Sequence, residues 1–271
     1  MTRRSGRSSL AVGAATLGLL AATALAAPWL APHDPFRQEL SQDLQPPSAA
    51  HPLGQDKLGR DQLSRVIYGS RVSLEVGLLT VTISLLLGLT VGSAAGLLGG
   101  RVDAALMRLV DILLAFPGIL LAIAMSAALG PSITNVVVAL SLIGWTGYAR
   151  LVRAEVMAVR GLEHVQAAEA LGAGRIRILV RHVLPSLVAP VTVQASFGMA
   201  AAIVAEASLS FLGLGVQPPV PSWGSMIDQG RAFLLVAPNM TLYPRLAIFI
   251  TVLGLNLLGD GLRDQLDVKA S

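Results

Sequence analysis

The sequence has no cysteine and few charged residues. The absence of cysteine from its 271 residues excludes a disulfide framework, a thiolate metal site and a cysteine nucleophile. Charged residues make up 13% of the chain, about half of the roughly 25% found in soluble domains. Hydrophobic residues make up 54% and occur in runs near or above the length of about 18 residues that marks membrane spans. We therefore predict an integral membrane protein.

The scarcity of lysine and histidine argues against an enzyme. Neither of the two lysines, Lys57 and Lys269, is followed by the Ser or Thr that ends a phosphate-binding loop. The chain has no GxSxG elbow. The four histidines form no HExxH or comparable metal motif. We predict no catalytic residue, metal or cofactor in this chain, so any hydrolysis of ATP with its Mg²⁺ must take place on another polypeptide.

Six apolar stretches are long enough to cross a membrane. About 20 helical residues cover a hydrocarbon core of about 30 Å, and no stretch shows the alternating polarity of a spanning strand. The predicted helices are residues 9–31, 72–98, 105–129, 132–150, 186–207 and 242–260. The first stretch also resembles a cleavable signal peptide, but its apolar run exceeds the usual core of about 7–15 residues. We predict a retained span, with cleavage as the alternative.

The cations predict the orientation. With the N-terminus inside, 13 Lys and Arg residues, among them Arg3, Arg4 and Lys269, lie on the cytosolic side and 7 lie outside. The positive-inside rule then places both termini of this multi-pass membrane protein in the cytosol. A net charge of +4 could also suit nucleic acid. Because the arginines cluster beside the spans, we predict contact with lipid instead.

Polar and small residues within the spans give further predictions. Arg108 and Asp111 are spaced to form an interfacial pair on one helix face. Glu206, at the outer end of the fifth span, is likewise predicted to face the membrane surface, with contact to something entering from outside as the alternative. Gly88, Gly92 and Gly96 form a stripe that predicts close packing against another span or another subunit. The stretch DQLSRVIYGSRVSL (residues 61–74) has a helical apolar spacing that predicts a surface helix. Pro117 and Pro190 predict helix kinks.

The most specific stretch is HVQAAEALGAGRIRILVRHVLP, residues 164–185. Val165, Ala168 and Leu171 predict a small apolar face on a first helix. Gly172 and Gly174 flank a break where a left-handed conformation is easy. The apolar face predicted for a second, basic surface helix consists of Ile176, Leu179, Val180, Val183 and Leu184. A plain amphipathic connector is the alternative.

The same stretch resembles the EAA loop of inner-membrane permeases of ABC importers. Other segments match as well: HPLGQDKLGRDQLSRVIYGSRVSL, DILLAFPGILLAIA, EASLSFLGLGVQPPVPSWGSMI and NLLGDGLRDQLD. Together they resemble the second, C-type permease subunit of the dipeptide, oligopeptide and nickel importer family, from about residue 51 to 267. The resemblance implies an all-α type I ABC importer fold, with residues 1–71 as an N-terminal span and extracytoplasmic segment and 72–271 as the core permease domain.

The resemblance also implies partners and contact residues. The family pairs this subunit with a homologous permease, two cytosolic ABC ATPases and an extracytoplasmic binding protein. Within a coupling loop at about residues 151–185, the residues expected to contact the ATPase are Gln166, Ala167, Ala168, Glu169, Gly172 and Arg175. Gln166 replaces the glutamate that names the motif and loses a charge-assisted hydrogen bond; Glu163 or Glu169 is the alternative source of charge.

The predicted function is ATP-driven import of dipeptides or oligopeptides, with this chain forming half of the translocation pathway. Nickel, another metal chelate, haem and glutathione remain alternative substrates, because the binding protein dominates selection in such systems. A secondary transporter or channel is a further alternative. Those proteins usually carry ionisable residues at mid-membrane, and this sequence places its charges near the span ends.

Overall fold

The computed structural model describes residues 2–267, with side chains from residue 7 to 266, and this part of the chain is helical. Lys269 and the side chains of Arg3 and Arg4 lie outside the described residues. The helices of the first half are α1 (Thr2–Leu25), α2 (Ala27–Leu30), α3 (Gln62–Leu98), α4 (Gly100–Leu114), α5 (Gly118–Leu129) and α6 (Ile133–Arg160). Those of the second half are α7 (Glu163–Ala170), α8 (Arg175–Ile178), α9 (Leu184–Phe211), α10 (Trp223–Gly230) and α11 (Asn239–Asp267).

Five helical segments are long and apolar enough to cross a membrane. They are residues 7–25, 62–98, 133–160, 175–211 and 239–266, and α4 with α5 forms a sixth if the bent pair is one span. The predicted all-α fold is therefore confirmed, and the predicted number of six spans is reached when α4 and α5 are counted as one span. The predicted third span, residues 105–129, is not one helix, because α4 and α5 meet at 83°. Pro117 caps α5, and proline disfavours helix both at its own position and at the residue before it.

The second span is longer than predicted. Helix α3 runs without interruption for 37 residues, which at 1.5 Å per residue is about 55 Å, well beyond a bilayer core of about 30 Å. Residues 61–74 are therefore not a separate surface helix, because 62–74 are the first turns of the spanning helix. Asp61 caps it by accepting a hydrogen bond from the Ser64 N–H. The predicted division at residue 71 falls inside α3.

The glycine stripe of α3 packs against α6 of the same chain. A methyl group built on Gly92 would lie 2.5 Å from the carbonyl oxygen of Ala149, and one on Gly96 would lie 2.6 Å from Cβ of Val156. Glycine at these positions allows the two backbones to approach closely. Of the two predicted uses of the stripe, packing against another span is the one that the structure shows.

Helices α1 and α11 bring the two ends of the chain together. A methyl group on Gly13 would lie 2.5 Å from the backbone nitrogen of Leu258, and one on Gly261 would lie 2.5 Å from that of Leu10. The first span is thus packed closely against the last one. By chain order, the connections at residues 31–61 and 212–238 lie at one end of the bundle, and the connection at residues 161–183 lies at the other.

Two predicted charge arrangements are wrong. Asp111 pairs with Arg150, with 2.5 Å between Oδ1 and Nη2, because α4 packs against α6. Glu206 is fully buried instead of facing the surface. Its carboxylate accepts a hydrogen bond from Ser210 Oγ at 2.7 Å and lies 3.5 Å from Ser73 Oγ on α3. The long α3 covers this end of α9, which the sequence pattern did not indicate.

Candidate functional site: the coupling loop

The predicted coupling loop begins where α6 ends. Gly161 follows the last residue of α6, and α7 starts two residues later at Glu163. Val165 is fully buried and belongs to a cluster that joins α6, α7 and the start of α9. The other members of this valine cluster are Val152, Val156, Val159, Ile178, Val183 and Leu187. One side of α7 is thus fixed to two spanning helices.

The outer side of α7 presents the predicted contact residues. Gln166, Ala167 and Glu169 are exposed, and Ala168 is half-buried. Leu171 was predicted to share the apolar face with Val165, but its side chain is 90% exposed. It is the residue that follows the last helical position, so the helical spacing no longer determines where its side chain points. The structure therefore divides the predicted face into one buried anchor and an exposed tip.

Gly172 ends α7 in a left-handed conformation. Its φ is +89°, and the Ala173 N–H donates to the Ala168 carbonyl at 2.9 Å while the Gly172 N–H donates to Glu169. These two bonds form the Schellman motif that commonly stops helices at glycine. Gly174, the second predicted break residue, has φ −70° and ψ 157°, which any residue can adopt. Glycine is therefore required by conformation at Gly172 alone of the two.

The predicted second helix is not separate from the fifth span. Residues 175–178 form α8, residues 179–183 form a π-helical turn, and α9 continues from Leu184. A π turn widens the helix and shifts the angular positions of the side chains that follow. Ile178 and Val183 are buried within the chain, whereas Ile176 is 78% and Val180 57% exposed. The last two side chains are thus free to contact lipid, and the lipid contact of the predicted face stays a prediction. Arg175 is exposed at the start of the segment.

Side-chain contacts hold α7 in place. Gln166 Nε2 donates to the carbonyl of Gly161 at 3.2 Å, so the residue that replaces the motif's glutamate helps to close the end of α6. Glu169 forms an ion pair with Arg160, with 3.3 Å between Oε1 and Nε. Glu163 is exposed. Of the two acids considered as a source of charge, Glu169 has a partner within the chain.

Arg160 is a residue whose role the sequence did not indicate. Besides Glu169, its Nη1 donates to the carbonyl oxygens of Gly96 and Leu97 at 3.3 and 3.2 Å. It therefore connects the end of α3, the end of α6 and α7. Cations near the last turn of a helix commonly bind free carbonyls, and that position was the available signal. The carbonyls it binds belong to another helix, so their identity depends on tertiary structure.

The opposite end of the molecule is held by buried ion pairs. Asp56, Arg60 and Arg65 are each about 1–2% exposed. Asp56 Oδ2 lies 2.6 Å from Arg60 Nε and 3.5 Å from Arg65 Nε. Arg60 also donates to Oε1 of Gln229 in α10 at 2.8 Å, and Arg65 donates to the Pro35 carbonyl at 3.2 Å. Two of the seven cations assigned to the outside are thus structural residues.

Comparisons with known proteins place these features in a family. Residues 88–271 match the model of the binding-protein-dependent transport system inner membrane component, and residues 7–47 match the N-terminal TM domain of oligopeptide transport permease C. A glutathione transport system permease protein of Pectobacterium atrosepticum is 44% identical over 98% of this chain and 89% of its own length. A dipeptide transport system permease protein of Alkalihalophilus pseudofirmus is 47% identical over 84% of this chain and 75% of its own length.

The fold also resembles a solved structure. A chain of the MetNI methionine ABC transporter superposes with a TM-score of 0.59 at 18% identity, covering 77% of this chain and 96% of that chain. At this low identity the likeness concerns the fold alone. It agrees with the type I importer permease fold that the sequence predicted.

Proposed function

The chain belongs to the family of inner membrane components of binding-protein-dependent transport systems, and we propose that its system imports dipeptides or oligopeptides. It is a multi-pass permease subunit of an ABC transporter. Relatives named as dipeptide and di/tripeptide permeases are 47% and 46% identical to it over most of both chains. This agreement among full-length relatives is the observation that carries the proposed substrate class.

Glutathione is the second candidate substrate. The glutathione permease relative from Pectobacterium covers 98% of this chain at 44% identity. Glutathione is a tripeptide derivative, so both candidates share amide groups and terminal carboxylates. Competition between the two in one transport assay separates the proposals.

We propose four kinds of partner for this chain. They are a homologous permease that completes the pathway, two ATPase subunits, a substrate-binding protein and the surrounding lipid. ATP and Mg²⁺ are bound and hydrolysed on the ATPases, and this chain contributes no catalytic residue. The end that carries α7 faces the cytosol, in keeping with 13 of 20 Lys and Arg residues assigned to that side.

Coupling occurs through α7 in this proposal. The exposed side of α7, with Gln166, Ala167 and Glu169, docks on an ATPase subunit. Val165 transmits the movement of α7 to the ends of α6 and α9 through the valine cluster. Close packing makes such a cluster resist deformation. Closure of the ATPases on ATP therefore moves the spanning helices and switches the access of the pathway.

The proposal is tested by uptake into proteoliposomes that contain this chain, its partner permease, the ATPases and the binding protein. Labelled dipeptide should accumulate only with internal ATP, and excess unlabelled dipeptide should compete better than glutathione. Gly172→Pro should abolish uptake, because proline cannot adopt a φ of +89°. Gly174→Pro is the matched control, because the φ of −70° at that position suits proline.

Uptake that does not depend on ATP would refute the importer. ATP-dependent uptake of glutathione that excess dipeptide fails to inhibit would leave the importer intact and replace the substrate. Normal uptake by Gly172→Pro would refute the role of α7 as the coupling helix.

A further inference from the structure

His33, His51 and Asp61 meet at the end of the bundle opposite the coupling loop. One ligand atom from each lies within 4.8 Å of the others. The Nδ1 atom of His51 lies 2.9 Å from Asp61 Oδ1, and that of His33 lies 3.8 Å from Asp61 Oδ2. The two imidazole rings are 4.5 Å apart, centroid to centroid. We propose that these three residues form a transition-metal site that takes Zn²⁺.

The ligand atoms lie near the spacing that such an ion requires. With bonds of about 2.0–2.1 Å, neighbouring ligand atoms of a tetrahedral zinc site are about 3.3 Å apart. The separation of 2.9 Å to Asp61 Oδ1 and that of 3.8 Å to Asp61 Oδ2 lie on either side of this value, and any spacing near the 4.8 Å limit of the cluster has to shorten when the ion binds. Two imidazoles and one carboxylate leave a fourth position for water, as in zinc sites with three protein ligands. Imidazole also favours zinc over the hard cations Mg²⁺ and Ca²⁺, which prefer oxygen.

Hydrogen bonds fix the position of the Asp61 carboxylate and leave Nδ1 of His33 free to bind a cation. Ser64 donates to Asp61 Oδ2 from its backbone N–H at 2.8 Å and from its hydroxyl at 2.7 Å. The Ser64 Oγ in turn accepts a hydrogen bond from the backbone N–H of His33 at 3.1 Å. Such hydrogen bonds to a carboxylate ligand are characteristic of metal sites. The Nδ1 atom of His33 is buried and has no hydrogen-bond partner in the described structure. A bound cation would satisfy this atom.

The site is accessible to a metal. Asp61 is 1% exposed, but the His51 side chain is 18% and the His33 side chain 38% exposed. Binding requires His51 to carry its proton on Nε2, so that Nδ1 is free to bind the metal in place of its hydrogen bond to Asp61. The ion would fasten the segment after α2, the loop before α3 and the residue that caps α3 to one another. The sequence did not indicate this site because its ligands are 10 and 18 residues apart and match no short motif.

The test is zinc binding by the full chain purified in detergent and stripped with EDTA. We expect one Zn²⁺ per chain by elemental analysis after dialysis, a rise in Tm of at least about 3 °C with saturating Zn²⁺, and no rise with Mg²⁺. The affinity should fall at least about tenfold in His33→Ala and in His51→Ala. The matched control is the chain's other histidine pair, His164 and His182, whose rings are 5.6 Å apart; His164→Ala/His182→Ala should bind zinc normally.

His33→Ala is the decisive variant, because His33 is partly exposed and its Nδ1 atom makes no hydrogen bond in the described structure. The site is refuted if the unmodified chain retains no zinc. It is refuted equally if His33→Ala binds with unchanged affinity, or if the loss appears in the His164→Ala/His182→Ala variant instead.

Discussion

The two ends of the helical bundle differ in where they place their polar side chains. At the end formed by residues 31–61 and 212–238, Asp56 and two arginines are buried together, and Gln229 of α10 completes the hydrogen bonds. At the other end, α7 buries Val165 alone and exposes polar residues around it. At the first end the buried charges of Asp56, Arg60 and Arg65 are paired within the chain, whereas at the second end Val165 fixes α7 and the polar side chains around it are exposed. This difference is what we expect if the second end completes its contacts on another protein.

The largest expected effect comes from removing the buried negative charge at the end formed by residues 31–61 and 212–238. Asp56→Asn leaves Arg60 and Arg65 buried without their counter-ion, and breaking a buried pair costs about 3–5 kcal/mol. We expect this variant to accumulate poorly in the membrane and to lose its thermal transition in detergent. Asp228→Asn removes the partner of Arg231, whose side chain is 60% exposed, and should change stability by about 0–1 kcal/mol. Equal stability of the two variants would contradict the buried network.

A second test concerns the packing of α3 against α6, two helices that run between the two ends of the bundle. Gly92→Ala places a methyl group 2.5 Å from the backbone oxygen of Ala149, and such overpacking costs about 1–3 kcal/mol. The Tm measured in detergent should therefore fall. Gly147→Ala in α6 is the matched control, because its methyl group would meet no atom within 4 Å, and alanine favours helix over glycine by about 0.5–1 kcal/mol. A lower Tm for Gly147→Ala than for Gly92→Ala would refute the close contact of α3 and α6.

A third test weakens the attachment of α7 to the spanning helices without changing the exposed side of α7. Val165→Ala removes two methyl groups from a fully buried side chain and should cost about 1–2 kcal/mol through lost burial and an added cavity. We expect the ATPase activity of the assembled complex to persist while substrate uptake per ATP falls. Val180→Ala, at a side chain that is 57% exposed, should leave this ratio unchanged. A normal ratio in Val165→Ala would show that the anchor does not transmit movement.

The smallest expected effect is at the end of α7. Gly172→Ala forces alanine into φ +89° and should cost about 1 kcal/mol, whereas Gly174→Ala at φ −70° should be nearly neutral. Neither methyl group would meet another atom within 4 Å, so the comparison isolates backbone conformation. The measurement is the difference in Tm between the two variants. A larger loss for Gly174→Ala would contradict the assigned end of the helix.

The sequence predicted the features that depend on local pattern. Apolar run lengths located the spans, Pro117 located the break between α4 and α5, and Gly172 located the end of α7. Each of these follows from the properties of a few consecutive residues.

Other features depend on contacts between distant segments and could not be predicted. The burial of Glu206 requires α3 to extend beyond the bilayer thickness and cover α9. The partner of Asp111 lies on α6, 39 residues further along the chain. The π turn at residues 179–183 shifts the side chains that follow it, and a uniform helical period does not reproduce this. The six predicted contact residues lie in one loop, but their contact with an ATPase remains a prediction.

Site-specific photo-crosslinking tests most directly whether α7 is the contact with the ATPase. Because the chain contains no cysteine, Ala167→Cys can carry a single benzophenone maleimide on the exposed side of α7. Ala49→Cys carries the same probe at an exposed position on the opposite end. In an active complex, we predict an ATPase crosslink from position 167 and none from position 49. An ATPase crosslink from position 49, or its absence at position 167 while transport remains active, would contradict the account.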